Sequence, residues 1–175
     1  RTLGKMHQAV VYYGRSLGYA RAEPNKLQAH LATVLNNLSR ALSELGWNGI
    51  GVCLDGRDLR WEVAEEVPLA TSYNTLALIY DDMGRYEEAP LLAAKAIAYC
   101  RRATESRQLG LALRQMAESL RHLAERPRTG QRISLPAEAY FSAAEQLLRE
   151  ARTIFEELRQ VERLVEVNLE MGSLY

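Results

Sequence analysis

The clearest pattern in the chain is a helical stripe, a turn and a second stripe. Between Ala70 and Ile97, Tyr73, Leu76, Ala77 and Tyr80 fall at i, i+3, i+4 and i+7, the spacing that shares one helix face. Gly84 and Tyr86 then mark a turn, and Ala89, Ala96 and Ile97 line the second stripe. The spacing returns at Leu35, Leu38, Ser39, Leu42 and Gly46, and again at Leu113, Met116, Ala117, Leu120 and Ala124, with alanine in the glycine position. Asn168, Met171, Gly172 and Tyr175 begin it a fourth time. Ser39, Ala77, Ala117 and Gly172 thus recur at steps of 38, 40 and 55 residues.

A small residue inside each stripe lets a partner helix come close. Gly84 is suited to end the first helix, because glycine accepts the left-handed backbone of a C-terminal cap. Glu87, Glu88 and Pro90 are expected in the first turn of the next helix, where the dipole favours acids and a missing N–H costs little. One such pair cannot bury its apolar face alone, so neighbours must complete the core. Residues 86–102 and 137–159 read as further regular helices, the latter carrying Ala144, Leu147, Leu148, Ala151, Ile154, Phe155 and Leu158. Leu3 to Leu17 reads as one helix weakened by Gly4 and Gly14. Gly18 and Pro24 bracket a turn before a helix over 26–46. Arg126–Pro136 reads as a loop. Trp47–Pro68 is the least regular stretch. Asn48-Gly49 and Asp55-Gly56 are tight-turn signals, and Leu59, Trp61 and Val63 alternate with charges as in a strand, whereas Leu59, Val63 and Val67 keep helical spacing. An irregular loop or small hairpin followed by a short helix is expected there.

These units resemble the tetratricopeptide repeat, a helix–turn–helix module with an ideal step of about 34 residues. The resemblance implies an all-α, right-handed helical-repeat solenoid with irregular insertions. It forms one domain over 1–175, with units near 32–68, 70–102, 110–159 and an incomplete one at 165–175. The start at Arg1 and the unfinished last unit suggest a piece of a longer array. The insertions and the LNNLSRALSELG and LRQMAESLRHLAE runs look like arrays appended to bacterial signalling ATPases and transcription regulators.

In this family the first helix of each unit lines a concave groove. The resemblance places Asn36, Asn74 and Arg114 on it, then Arg40, Leu78 and Glu118, then Asp81, Arg121 and His122. Apart from Leu78, these are the candidate ligand-binding residues. An asparagine amide both donates and accepts, so Asn36 and Asn74 are suited to grip an extended peptide whatever its sequence. The same amides equally cap or bridge neighbouring helices. Family members that hold a C-terminal carboxylate carry amides and cations at these places; Leu78 and Glu118 break that pattern.

Charge adds little globally, because 22 basic residues meet 22 acidic ones. No overall field draws the chain to nucleic acid or a membrane, and no apolar run reaches the roughly 18 residues of a spanning helix. Locally, Arg101 to Arg132 holds eight arginines against three glutamates, while 133–175 is net negative, with four basic and eight acidic residues. Arg107, Arg114 and Arg121 stand seven apart. They read as a phosphate-facing row or as a solvated face, with Glu118 and Glu125 four residues beyond Arg114 and Arg121. The opposite charges of the two segments also suit pairing between adjacent repeats, or head-to-tail assembly of the array.

Cys53 and Cys100 fit no metal or redox spacing and read as reduced, buried thiols of a cytoplasmic protein. No P-loop, HExxH or GxSxG occurs, and Gly49-Ile50-Gly51 lacks a dinucleotide fingerprint's third glycine. Asp81-Asp82 and Glu87-Glu88 read as turn and helix-start charges. His7, His30 and His122 are scattered and read as lacking a ligand-type partner at i, i+4, so no metal, cofactor or catalytic site is expected. The expected function is a protein-interaction module binding a peptide or partner domain in the groove. The alternatives are a sensor or autoinhibitory arm of a larger signalling ATPase or transcription regulator, and, less favoured, a nucleic-acid-contacting array using 101–132.

Overall fold

The computed structural model describes residues 2–22, 24–62, 66–125 and 135–175. They form α1 (Thr2–Ala22), α2 (Pro24–Glu44), α3 (Ile50–Glu62), α4 (Glu66–Asp82), α5 (Ala89–Arg102), α6 (Ser106–Glu125), α7 (Ala137–Glu157) and α8 (Val161–Gly172). No strand occurs among the described residues. Each helix packs on its neighbours in sequence, and α4 also touches α2 and α6. The chain is therefore an all-α helical-repeat solenoid, with α2–α3, α4–α5 and α6–α7 as successive pairs.

The turns that end α2, α4, α5 and α7 are built alike. At the end of α4 the Arg85 N–H donates to Tyr80 O and the Gly84 N–H to Asp81 O, both at 2.8 Å, with Gly84 at φ +73°. This is the Schellman cap, which closes a helix on a left-handed residue. Both bonds recur around Gly46 and Arg159, and the longer one, Glu105 N–H to Cys100 O at 3.0 Å, around Thr104, all at positive φ.

The core follows the predicted stripes. Tyr73, Leu76, Ala77 and Ile79 of α4 are buried, as are Ala93, Ala96 and Ile97 of α5, and Leu113, Ala117 and Leu120 of α6. In α7, Ala144, Leu148, Ala151 and Phe155 complete it.

Four expectations change. Residues 50–62 form the helix α3 rather than a loop or hairpin. It packs on α2 as the second helix of its unit, so 47–68 is no insertion. A side chain at Gly56 would press on Ala32 O and Leu35 Cβ, both 3.1 Å away, so the glycine marks a close helix crossing rather than a turn. Helix α1 runs on through Gly18 to Ala22, and α2 begins at Pro24 with a break at Leu27 (φ −119°, ψ 16°). Glu87 and Glu88 precede α5 instead of opening it, and Glu88 pairs with Arg85 at 2.6 Å. In α8 the packed face is Leu164, Val167, Met171 and Leu174, whereas Asn168 and Gly172 are exposed, so the fourth register is misplaced. A rival stripe of Val161, Val165 and Leu169 points outward. Most of the predicted loop, 126–134, lies outside the described residues, as do 63–65 of the irregular stretch.

Candidate functional site

The first helices α4 and α6 pack together, and α8 meets α6 through its charged side chains. On α4, Asn74 and Asp81 share a face, seven residues apart. On α6, Arg114, Glu118, Arg121 and His122 cover the facing side. From α8 come Glu166 and Glu170.

Two linked clusters result. In the first, the His122 Nδ1 lies 2.8 Å from Asp81 Oδ2, and Arg121 Nη2 lies 3.1 Å from His122 Nε2. These contacts fit the tautomer whose Nδ1–H donates to Asp81 while Nε2 accepts from the guanidinium. Hydrogen bonding to Asp81 raises the pKa of His122 above the ordinary imidazole range, against burial and the charge of Arg121. Arg121 Nη1 is anchored on Glu125 at 2.6 Å, and the Tyr86 ring packs against His122 with centroids 5.0 Å apart. Asp81 is only 6% exposed, and its Oδ1 has no hydrogen-bond partner among the described residues.

In the second cluster, Arg114 Nη1 bonds Glu170 Oε1 at 2.9 Å and Glu166 Oε2 at 3.1 Å. Arg114 Nε, Glu170 Oε2 and, on α4, Asn74 Oδ1 are buried without a partner among the described residues. Burial pushes the Glu170 carboxyl from its ordinary 4.5 up to about 7. Arg114 opposes the shift, while Glu118 and Glu166 add to it.

A folded-state value above the unfolded one means that the native chain binds the extra proton. Stability from Glu170 is therefore full below about 4.5 and is lost as pH rises through about 7. Glu170→Gln should flatten this slope. Denaturant unfolding near pH 5 and near pH 8 should show the wild type losing about 2 kcal/mol more than the variant between them. Parallel pH profiles would refute the assignment.

The other candidates lie elsewhere. Asn36 is 5% exposed and sits against α3, its Oδ1 3.8 Å from Cys53 Sγ, so it bridges helices and does not line the groove. Arg40 is exposed, pairs with Glu44 at 3.3 Å and lines a hollow between α1 and α2 with Met6 and Tyr13. Arg114 is held by α8 rather than by Glu118, whereas the Arg121–Glu125 pair forms as expected. Arg101 meets Glu150 and Arg102 meets Glu66, each at 3.0 Å, so these two arginines of the basic segment are engaged by glutamates of other helices. Glu166 and Glu170 fall outside the expected site because the fourth stripe runs through Asn168 and Gly172, which are exposed in α8. His122 does have a ligand-type partner at i−4, namely Glu118. Cys53 and Cys100 are free, buried thiols, each pushed by burial to about 11. No helix among the described residues is long and apolar enough to cross a membrane.

Comparison with known proteins agrees with this architecture. Residues 69–107 match the tetratricopeptide repeat family model. The crystal structure of BtubC (BKLC) from P. vanneervenii is similar, with a TM-score of 0.74 and 18% sequence identity, over 97% of this chain and 65% of that one. That likeness is one of fold, and the chain spans less than two thirds of the solved protein's length. No curated protein matches the sequence.

Proposed function

We propose that the chain is a protein-interaction module whose α4–α6–α8 face takes an extended segment of a partner protein. Tetratricopeptide repeats stack into surfaces that hold other chains, and residues 69–107 carry such a repeat. The observation that carries the reading is the chemistry of the face. Asn74, Glu118, His122 and Glu166 are neither fully buried nor fully exposed, so each can still turn toward a guest. Acceptors exceed donors there: Asp81, Glu118, Glu166 and Glu170 stand against Arg114 and Arg121. A partner segment with basic side chains complements this balance, while the Asn74 amide suits its backbone. The nucleic-acid alternative loses ground for the same reason, since the arginines at 101, 102, 114 and 121 already pair with glutamates.

Peptides selected from a random library against the chain supply the probe. Asn74→Ala combined with Glu118→Lys should weaken the selected peptides about tenfold or more, with an unchanged melting temperature. Selected peptides that are not enriched in lysine or arginine, or that bind the double variant equally, would refute the reading.

A further inference from the structure

We infer that Asp81, Glu118 and His122 form a site for one divalent first-row transition-metal ion, held between α4 and α6. A carboxylate oxygen from each acid and an imidazole nitrogen lie within 4.8 Å of one another. Ligands at about 2.0–2.2 Å from a common ion stand roughly 3–4 Å apart, so side-chain rotation alone closes the gap. The helices fix the arrangement: Glu118 and His122 are one turn apart on α6, and Asp81 reaches across from α4.

The second observation is independent of that spacing. Asp81 is buried to more than nine tenths and its Oδ1 accepts no hydrogen bond among the described residues. A buried carboxylate oxygen without a donor is unfavourable, and a cation within reach of it offsets that cost. Two carboxylates also cancel the charge of a divalent ion. The imidazole favours zinc, cobalt or nickel over calcium or magnesium, which take oxygen ligands.

For His122 Nδ1 and Asp81 both to ligate, the 2.8 Å bond between them must open and the ring proton pass to Nε2, so Arg121, now facing that nitrogen, must yield as well. Its Nη2 lies 3.1 Å from His122 Nε2, but its Nη1 is already on Glu125, so the guanidinium has an anchor to swing on. Glu118 is half-buried at the edge of the site, so a coordination position stays open to water or to a donor from a partner. The inference does not depend on which peptide the groove takes.

The test uses the chelator-treated full chain and the metal alone, without peptide. Calorimetric titration with Zn²⁺ should give one ion per chain, and Co²⁺ should develop visible d–d absorption. Saturating Zn²⁺ should raise the unfolding midpoint, since it binds only the native state. His122→Ala and Glu118→Gln should each weaken binding at least tenfold, while His30→Ala leaves it unchanged. Glu118 is half-exposed, so its variant keeps the test informative even where His122→Ala disturbs the fold. Absence of binding, or equal binding by the wild type and Glu118→Gln, would overturn the inference.

Discussion

Replacing Gly110 by valine should destabilise the chain by about 3 kcal/mol or more. A Cβ at this position would stand 2.7 Å from Cζ and 2.8 Å from Cε1 of Phe155. Phe155 is wholly buried in the α6–α7 interface, so its ring has nowhere to retreat. The helix-propensity gain from losing a glycine, at most about 1 kcal/mol, opposes the clash without matching it. Phe155→Ala alone should cost about 3–5 kcal/mol, from lost burial and the cavity left behind. Against a total stability of about 5–15 kcal/mol for a native protein, either change is severe. The two positions should also couple. In denaturant unfolding, Gly110→Ala with Phe155→Leu should lose less than the sum of the single variants. Simple additivity would show that ring and glycine do not meet.

Arg60→Ala should cost about 3 kcal/mol, a large loss for removing a polar side chain. The guanidinium is 5% exposed in the unit that joins α2, α3 and α4. Its Nη1 donates to Pro68 O at 2.8 Å and Ser72 Oγ at 2.6 Å, and its Nη2 to Thr33 Oγ1 at 3.4 Å. Truncation strips the buried Ser72 hydroxyl and the half-buried Pro68 carbonyl of this donor and leaves a void where the guanidinium was. Lysine should restore only part of the loss, since one ammonium cannot reproduce a planar fork that reaches two helices. Urea midpoints of the three proteins are the check, and a loss below about 0.5 kcal/mol, the scale of ordinary surface substitutions, would show that Arg60 is dispensable.

These two sites mark where the sequence was legible and where it was not. The stripes of α4 through α7 could be read directly, because small and large apolar residues at helical spacing admit one packing. Helix α3 was hidden by local signals that tertiary structure reassigned. Asn48 does not turn a hairpin; its Oδ1 accepts the Ile50 N–H at the start of α3, at 3.0 Å. Gly56 serves close packing. Arg60, one of several charges in a stretch that alternates like a strand, gave no hint of burial. In α8 two apolar stripes compete, and only contact with α7 selects Leu164, Val167 and Met171.

The candidate site was half legible. The residues that the resemblance names, Asn74, Asp81, Arg114, Glu118, Arg121 and His122, lie on the neighbouring helices α4 and α6. The resemblance could not say that Asn36 turns inward onto Cys53, because neither helix pairing nor rotation is fixed by a single helical position. Nor could it foresee the carboxylates of α8, which come from a segment more than fifty residues further along the chain than Arg114.

Because each helix leans chiefly on its nearest neighbours in sequence, ordering the chain never requires a long loop to close before the reward arrives. Such a topology folds quickly and can start at more than one place. It also comes apart gradually: an outer pair can peel away while the inner ones hold, so the molecule behaves more like a zipper than a keystone arch.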